Sequence, residues 1–184
     1  MLGSTAAAAL LGLALAAGGG AKATRTVKLA VGDTFTSTKT HIVCSVRLGS
    51  TLLPGQKQLV CDYVDTRRPL DNTYSVVVAA NGEALIAKTR LLGAPTVVIR
   101  RKPALARHRA ASYRLVKGDI VTVTGTRIEC LISGPAVVCF QFDAARRQAV
   151  PGSFGVDIGD DHAALFHLDA KGKIKVLKLL RQPR

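Results

Sequence analysis

The chain is 184 residues long and carries 26 Lys plus Arg against 12 Asp plus Glu, a formal charge of +14. It has no Trp, three Tyr and five Phe, so it lacks the rows of rings on which single-stranded nucleic acid stacks. Four His and no C-x2-C or Cys/His cluster supply no zinc-type ligand set, and neither a metal nor a cofactor is expected.

The chain opens on an uncharged stretch, Leu2 to Ala21, with an apolar centre from Ala6 to Ala17. It is short and rich in Ala and Gly, and two A-x-A patterns close it, ending at Ala16 and Ala23. That composition predicts a secretory signal peptide over residues 1–23 rather than a membrane span. No Lys or Arg precedes the apolar run, and no later run is long enough for a spanning helix. The mature protein is therefore expected to be secreted or held at the cell envelope.

From residue 24 the dominant period is two, which predicts short strands. Val27 to Val31 forms the first, and Gly32-Asp33 turns the chain. Thr34, Thr36, Thr38 and Thr40 then alternate with Phe35, Ser37 and Lys39. Ile42 to Val46 holds Cys44, and Leu59 to Val64 holds Cys61, across a loop marked by Pro54-Gly55. Tyr74, Val76 and Val78 alternate in the next strand, Asn81-Gly82 signals a hairpin, and Ala84 to Ala87 and Thr96 to Ile99 follow. Residues 24–103 form one unit. Ala104 to Ala111 alone has the pattern of a helical turn, and 104–112 reads as a basic linker.

Residues 113–184 repeat the theme. Moving Gly32 onto Gly118, an offset of 86 residues, superposes Gly-Asp, three threonines, an isoleucine and a cysteine. A recurrence of that kind fixes architecture. The strands are Tyr113 to Lys117, the Thr122–Thr124–Thr126 stretch, Ile128 to Ile132, Val137 to Phe142, Phe154 to Ile158, Ala163 to Phe166, and Ile174 to Leu177. The fold class is all-β: two tandem copies of a small antiparallel sandwich or barrel-like domain.

Four cysteines, two in each copy, read as a disulfide framework in an oxidising compartment. Duplication favours Cys44 with Cys61 and Cys130 with Cys139. In the second copy the register can be counted outward from Gly134-Pro135. Ser133 faces Ala136, Ile132 faces Val137, Leu131 faces Val138, and Cys130 faces Cys139 at a non-hydrogen-bonded position. Such partners have the short Cα separation that a cross-strand bridge accepts. Both faces of this hairpin are apolar, which predicts burial on both sides.

The most enzyme-like cluster is Asp160-Asp161-His162 with His167 nearby. Matching Tyr74 to Phe154 lays Asn81-Gly82 over Asp161-His162, so the pair is read as turn residues with positive φ rather than as ligands or an acid–base pair. Asp33 and Asp119 are also read as turn residues, and His41, whose counterpart is Arg127, as an exposed position. No G-x-S-x-G, P-loop, H-E-x-x-H or dinucleotide fingerprint occurs, and no catalytic residue is assigned. The threonine runs are read as ordinary half-exposed strand faces.

Charge is uneven. Arg100, Arg101, Lys102, Arg107, Arg109, Arg114 and Lys117 fall together without an acid, and the C-terminal segment adds six more cations. Basic surfaces attract envelope polymers, acidic lipids and acidic glycans, and these seven residues are the candidate polyanion site; a nucleic-acid partner is not expected. The sequence points to a non-catalytic binding or structural module. A hydrolase with its site between the copies, and self-association through a sheet edge, are the alternatives.

Overall fold

The computed structural model describes residues 25–49, 55–63, 73–89 and 110–181. The leader, the Thr96–Ile99 strand, most of the helical turn, and Arg100, Arg101, Lys102, Arg107 and Arg109 lie outside the described residues.

All described secondary structure is β. The first half contributes β1 (Thr26–Leu29), β2 (Thr34–Ser37), β3 (Ile42–Leu48), β4 (Lys57–Tyr63), β5 (Thr73–Ala79) and β6 (Ala84–Thr89). The second contributes β7 (Ser112–Leu115), β8 (Ile120–Val123), β9 (Ile128–Ile132), β10 (Ala136–Asp143), β11 (Gln148–Ala149), β12 (Phe154–Gly159), β13 (His162–Leu168) and β14 (Ile174–Arg181). The period-two patterns translate directly: β1 alternates exposed and buried, and β8 alternates half-buried and buried. The threonines of β2 and β8 take the wetter face while Phe35, Val121 and Val123 go inward.

Two sheets result. One runs β6-β5-β4-β3-β2-β7, the other β1-β8-β9-β10-β12-β13-β14 with β11 beside β10. The leading strand of each half therefore lies in the sheet of the other half. Strand β1 pairs with β8, Thr26 opposite Ile120, and β7 pairs with β2, Ser112 opposite Thr34. Both exchanged pairings are parallel, and all the others are antiparallel. The two exchanged pairings are related by the 86-residue offset of the sequence, Thr26 matching Ser112 and Thr34 matching Ile120.

One core results from the exchange. Leu29 and Leu115, equivalent residues of the two leading strands, are wholly buried in one apolar cluster with Phe35, Ile42, Tyr74, Val121, Ile128 and Ile158. Each disulfide lies in this cluster: Cys44–Cys61 with Cα atoms 4.0 Å apart and Cys130–Cys139 at 4.1 Å. The β9–β10 register follows the count from Gly134-Pro135, with Ile132 opposite Val137 and Cys130 opposite Cys139. The far face of β10 is covered as well, because Val138 and Phe140 join Phe166, Leu168, Ala149 and Ile174 in a second, smaller cluster.

Candidate functional site

The duplicated Gly-Asp builds the joint between the halves. Gly32 and Gly118 have φ of +97° and +94°, a conformation that glycine reaches without steric penalty. The turn presents the following carboxylate inward, where Asp33 and Asp119 are 1% and 0% exposed. Asp33 Oδ2 accepts the Ala30 N–H at 2.8 Å, and Asp119 Oδ2 accepts the Val116 N–H at 3.0 Å. These bonds close each turn, in keeping with the turn assignment.

Each carboxylate also reaches the other half. Asp33 Oδ1 accepts the Ala111 N–H at 2.8 Å, and Asp119 Oδ2 takes the Arg25 Nε at 3.1 Å. Residues 25 and 111 are equivalent under the 86-residue offset, so matching positions are joined in both places, once through a backbone N–H and once through a guanidinium. Backbone bonds repeat it: Thr34 N to Ala111 O and Ile120 N to Arg25 O are both 2.9 Å. The guanidinium of Arg25 also bonds the carbonyl of Arg114. Asp33 and Asp119 hold the exchanged strands in place, a role that the repeat alone did not expose.

The Asp160–His162 cluster differs from expectation by one residue. Ile158 pairs with Ala163, so Asp160 and Asp161 form the bend and His162 begins β13. Neither Asp161 nor His162 has positive φ, whereas Gly82 does, at +93°. The reason is loop length: Val78 pairs with Ala84 in the first half, one residue longer than the Ile158–Ala163 connection, and the sequence match drifts there.

The His162 ring leans over Gly159, its Nε2 3.2 Å from Asp157 and its Nδ1 2.6 Å from Asp161. The hydrogen bond to the buried Asp157 carboxylate, opposed in part by burial and reinforced by Asp161, raises the His162 pKa to about 9. Hydrogen bonding to that ring lowers the Asp161 pKa. His162 is therefore an imidazolium at neutral pH, without the free lone pair that a base or metal ligand needs. Asp160 turns the other way: its Oδ1 accepts the His41 N–H at 2.8 Å and its Oδ2 lies 3.3 Å from His41 Nδ1. His167 packs on Phe154, centroids 5.1 Å apart. These residues bind the two halves and the two hairpins together, and no group of three or more metal-ligating side chains occurs among the described residues.

A groove of about 660 Å³ opens between the halves. Three turns wall it: residues 80–83 from the first half, and residues 125–127 and 150–154 from the second. The walls are tied together by Gln141, a buried polar residue of β10 whose Nε2 donates to Ala79 O at 2.9 Å. Lys57 adds a bond from Nζ to Thr124 O at 2.9 Å, and Phe154 N reaches Gly82 O at 3.3 Å. The described lining includes the Asn81 amide, the Phe154 ring, the Glu83 carboxylate and the Arg127 guanidinium, while the Thr126 and Ser153 hydroxyls are donated to the carbonyls of Val123 and Val150. The described lining residues include one carboxylate, Glu83, and no histidine.

Of the candidate polyanion residues, Arg114 and Lys117 are described. Both are exposed, at β7 and just after it. The groove residues carried only turn signals in the sequence; a glutamine within the apolar β10 run was the one mark that something polar met this strand from outside. The described residues contain no helix long and apolar enough to cross a membrane. The chain matches no protein-family model, no curated protein and no solved structure.

Proposed function

We propose that this protein is an exported, non-catalytic binding module of the cell envelope, and that the groove between its halves is the contact surface. The observation that carries the reading is the lining itself. An amide and turn backbone groups surround the Phe154 ring, and the charged side chains described there, Glu83 and Arg127, are of opposite sign. Such a surface matches a hydroxyl-rich, extended ligand of the glycan class better than an apolar molecule, whose sites are mostly hydrophobic. The walls are held by bonds between the halves and by a disulfide in each half, so little ordering is needed on binding. Structural disulfides also suit an oxidising compartment.

Titration of the 15N-labelled protein with soluble N-acetylated glycan oligomers tests it. Amide shifts are expected at Gly82, Gly125 and Gly152, with loss of affinity in Arg127→Ala. Shifts absent from all three turns at millimolar oligomer would overturn the reading.

A second reading, association with a polyanion, is favoured by the cations of β14 and its preceding turn together with Arg114 and Lys117. Retention on a polyphosphate column that falls steeply with salt is its signature.

A further inference from the structure

Strand β14 is eight residues long, lies at the end of its sheet, and has no buried side chain. Val176, Leu177 and Leu179 are 40%, 47% and 37% exposed. By register Val176 and Leu179 share the face of Phe166 and Ala164, and Lys175 and Lys178 the face of His167 and Leu165, so an edge-on approach meets both sets. Lys171 and Lys173 lie in the preceding turn and Arg181 at the strand's end. Residues 170–184 contain no acid, and the nearby Asp169 is occupied in accepting the backbone N–H groups of Lys171 and Lys173, each at 2.8 Å.

Edge strands carry lysines to discourage pairing with other chains, and that accounts for Lys175 and Lys178. It leaves three exposed aliphatic side chains unexplained. A bulge sharpens the point. Leu165 pairs with Lys178 and the next residue, Phe166, with Val176, so Leu177 is the extra residue of β14. A bulge twists the edge away from a flat partner strand, and Leu177 there is 47% exposed. A second copy of this chain, itself strongly positive, is repelled. A soluble polyanion satisfies the lysines but gives the aliphatic side chains nothing to enter.

We infer that β14 and its preceding turn dock this protein on a bilayer rich in acidic phospholipid, with Leu177, Val176 and Leu179 entering the headgroup boundary and the lysines pairing with lipid phosphates. This deepens the polyanion reading and rests on it. Shallow apolar burial combined with attraction to anionic lipids is the physics of interfacial binding. Each lysine near such a surface strengthens binding about fivefold, so Lys175→Gln with Lys178→Gln should weaken it about thirtyfold.

The test is co-sedimentation of the mature protein with phosphatidylglycerol-containing vesicles, pure phosphatidylcholine vesicles, and soluble polyphosphate by competition. The inference expects binding to the anionic but not to the pure phosphatidylcholine vesicles, competed by polyphosphate, and about a tenfold loss of vesicle binding in Leu177→Gln/Leu179→Gln with polyphosphate affinity unchanged. Full vesicle binding by that double variant would overturn the lipid inference while leaving the polyanion reading intact. Failure to bind both anionic vesicles and polyphosphate would overturn both. Circular dichroism of each variant confirms that the fold is retained, since all four side chains are exposed.

Discussion

Replacing Asp33 with alanine removes the acceptor of two backbone N–H groups, those of Ala30 and Ala111, each at 2.8 Å. A buried donor left without a partner costs about 1–3 kcal/mol. Ala30 and Ala111 are both half-buried, so water can return to each in part, and the expected loss is about 2–4 kcal/mol. Asp33→Asn keeps one oxygen acceptor and turns an amide N–H₂ toward the other donor, for a loss of about 1–3 kcal/mol. Asp119→Ala should cost less than Asp33→Ala. It frees one backbone N–H, from Val116, and a guanidinium whose side chain is already 48% exposed. Urea unfolding followed by far-ultraviolet circular dichroism, with disulfides intact, measures all three variants. The midpoint should fall with an unchanged slope, in the order Asp33→Ala beyond Asp119→Ala. A loss below about 0.5 kcal/mol in Asp33→Ala, or a larger loss in Asp119→Ala, would refute the clasp between the halves.

Three other outcomes follow from the same structure. His162 titrates above its ordinary 6.5, at about 9, so its contribution to stability is fully present below pH 6.5 and disappears as pH rises through 9; an NMR titration of its ring protons with a midpoint near 6.5 would contradict the Asp157 pairing. Breaking the bridge between Cys44 and Cys61, separation 17, should cost about 3.2 kcal/mol, and that between Cys130 and Cys139, separation 9, about 2.7 kcal/mol on loop entropy; paired Cys→Ala variants in thermal melts check the order. Gly155→Ala places a methyl 2.3 Å from the Phe166 ring and 2.9 Å from Cys139 O, so a loss of about 1–3 kcal/mol is expected, partly relieved in the double variant with Phe166→Leu.

The all-β class and the cysteine register were legible because both rest on local rules. Alternation names a strand, and a two-residue turn at Gly134-Pro135 leaves only counting to reach Cys130 and Cys139. The exchange of leading strands was not legible. Thr26–Leu29 and Ser112–Leu115 present the same pattern to either neighbour, and periodicity says nothing about which sheet a strand joins. The Asp161–His162 assignment slipped because the two halves differ by one residue in a single hairpin, where repeat matching has no local signal to correct it. Strand β14 was seen only to Leu177, where the bulge interrupts alternation. The groove was hidden for a deeper reason: its walls are turns that meet only once the halves interlock.

Because Thr26 lies beside Ile120, β1 lacks this parallel neighbour until most of the described polypeptide has been made. Neither sheet can be finished from its own stretch of message, and such long-range closure is slow. Either half made alone would leave the edge of β2 or of β8 without its parallel partner.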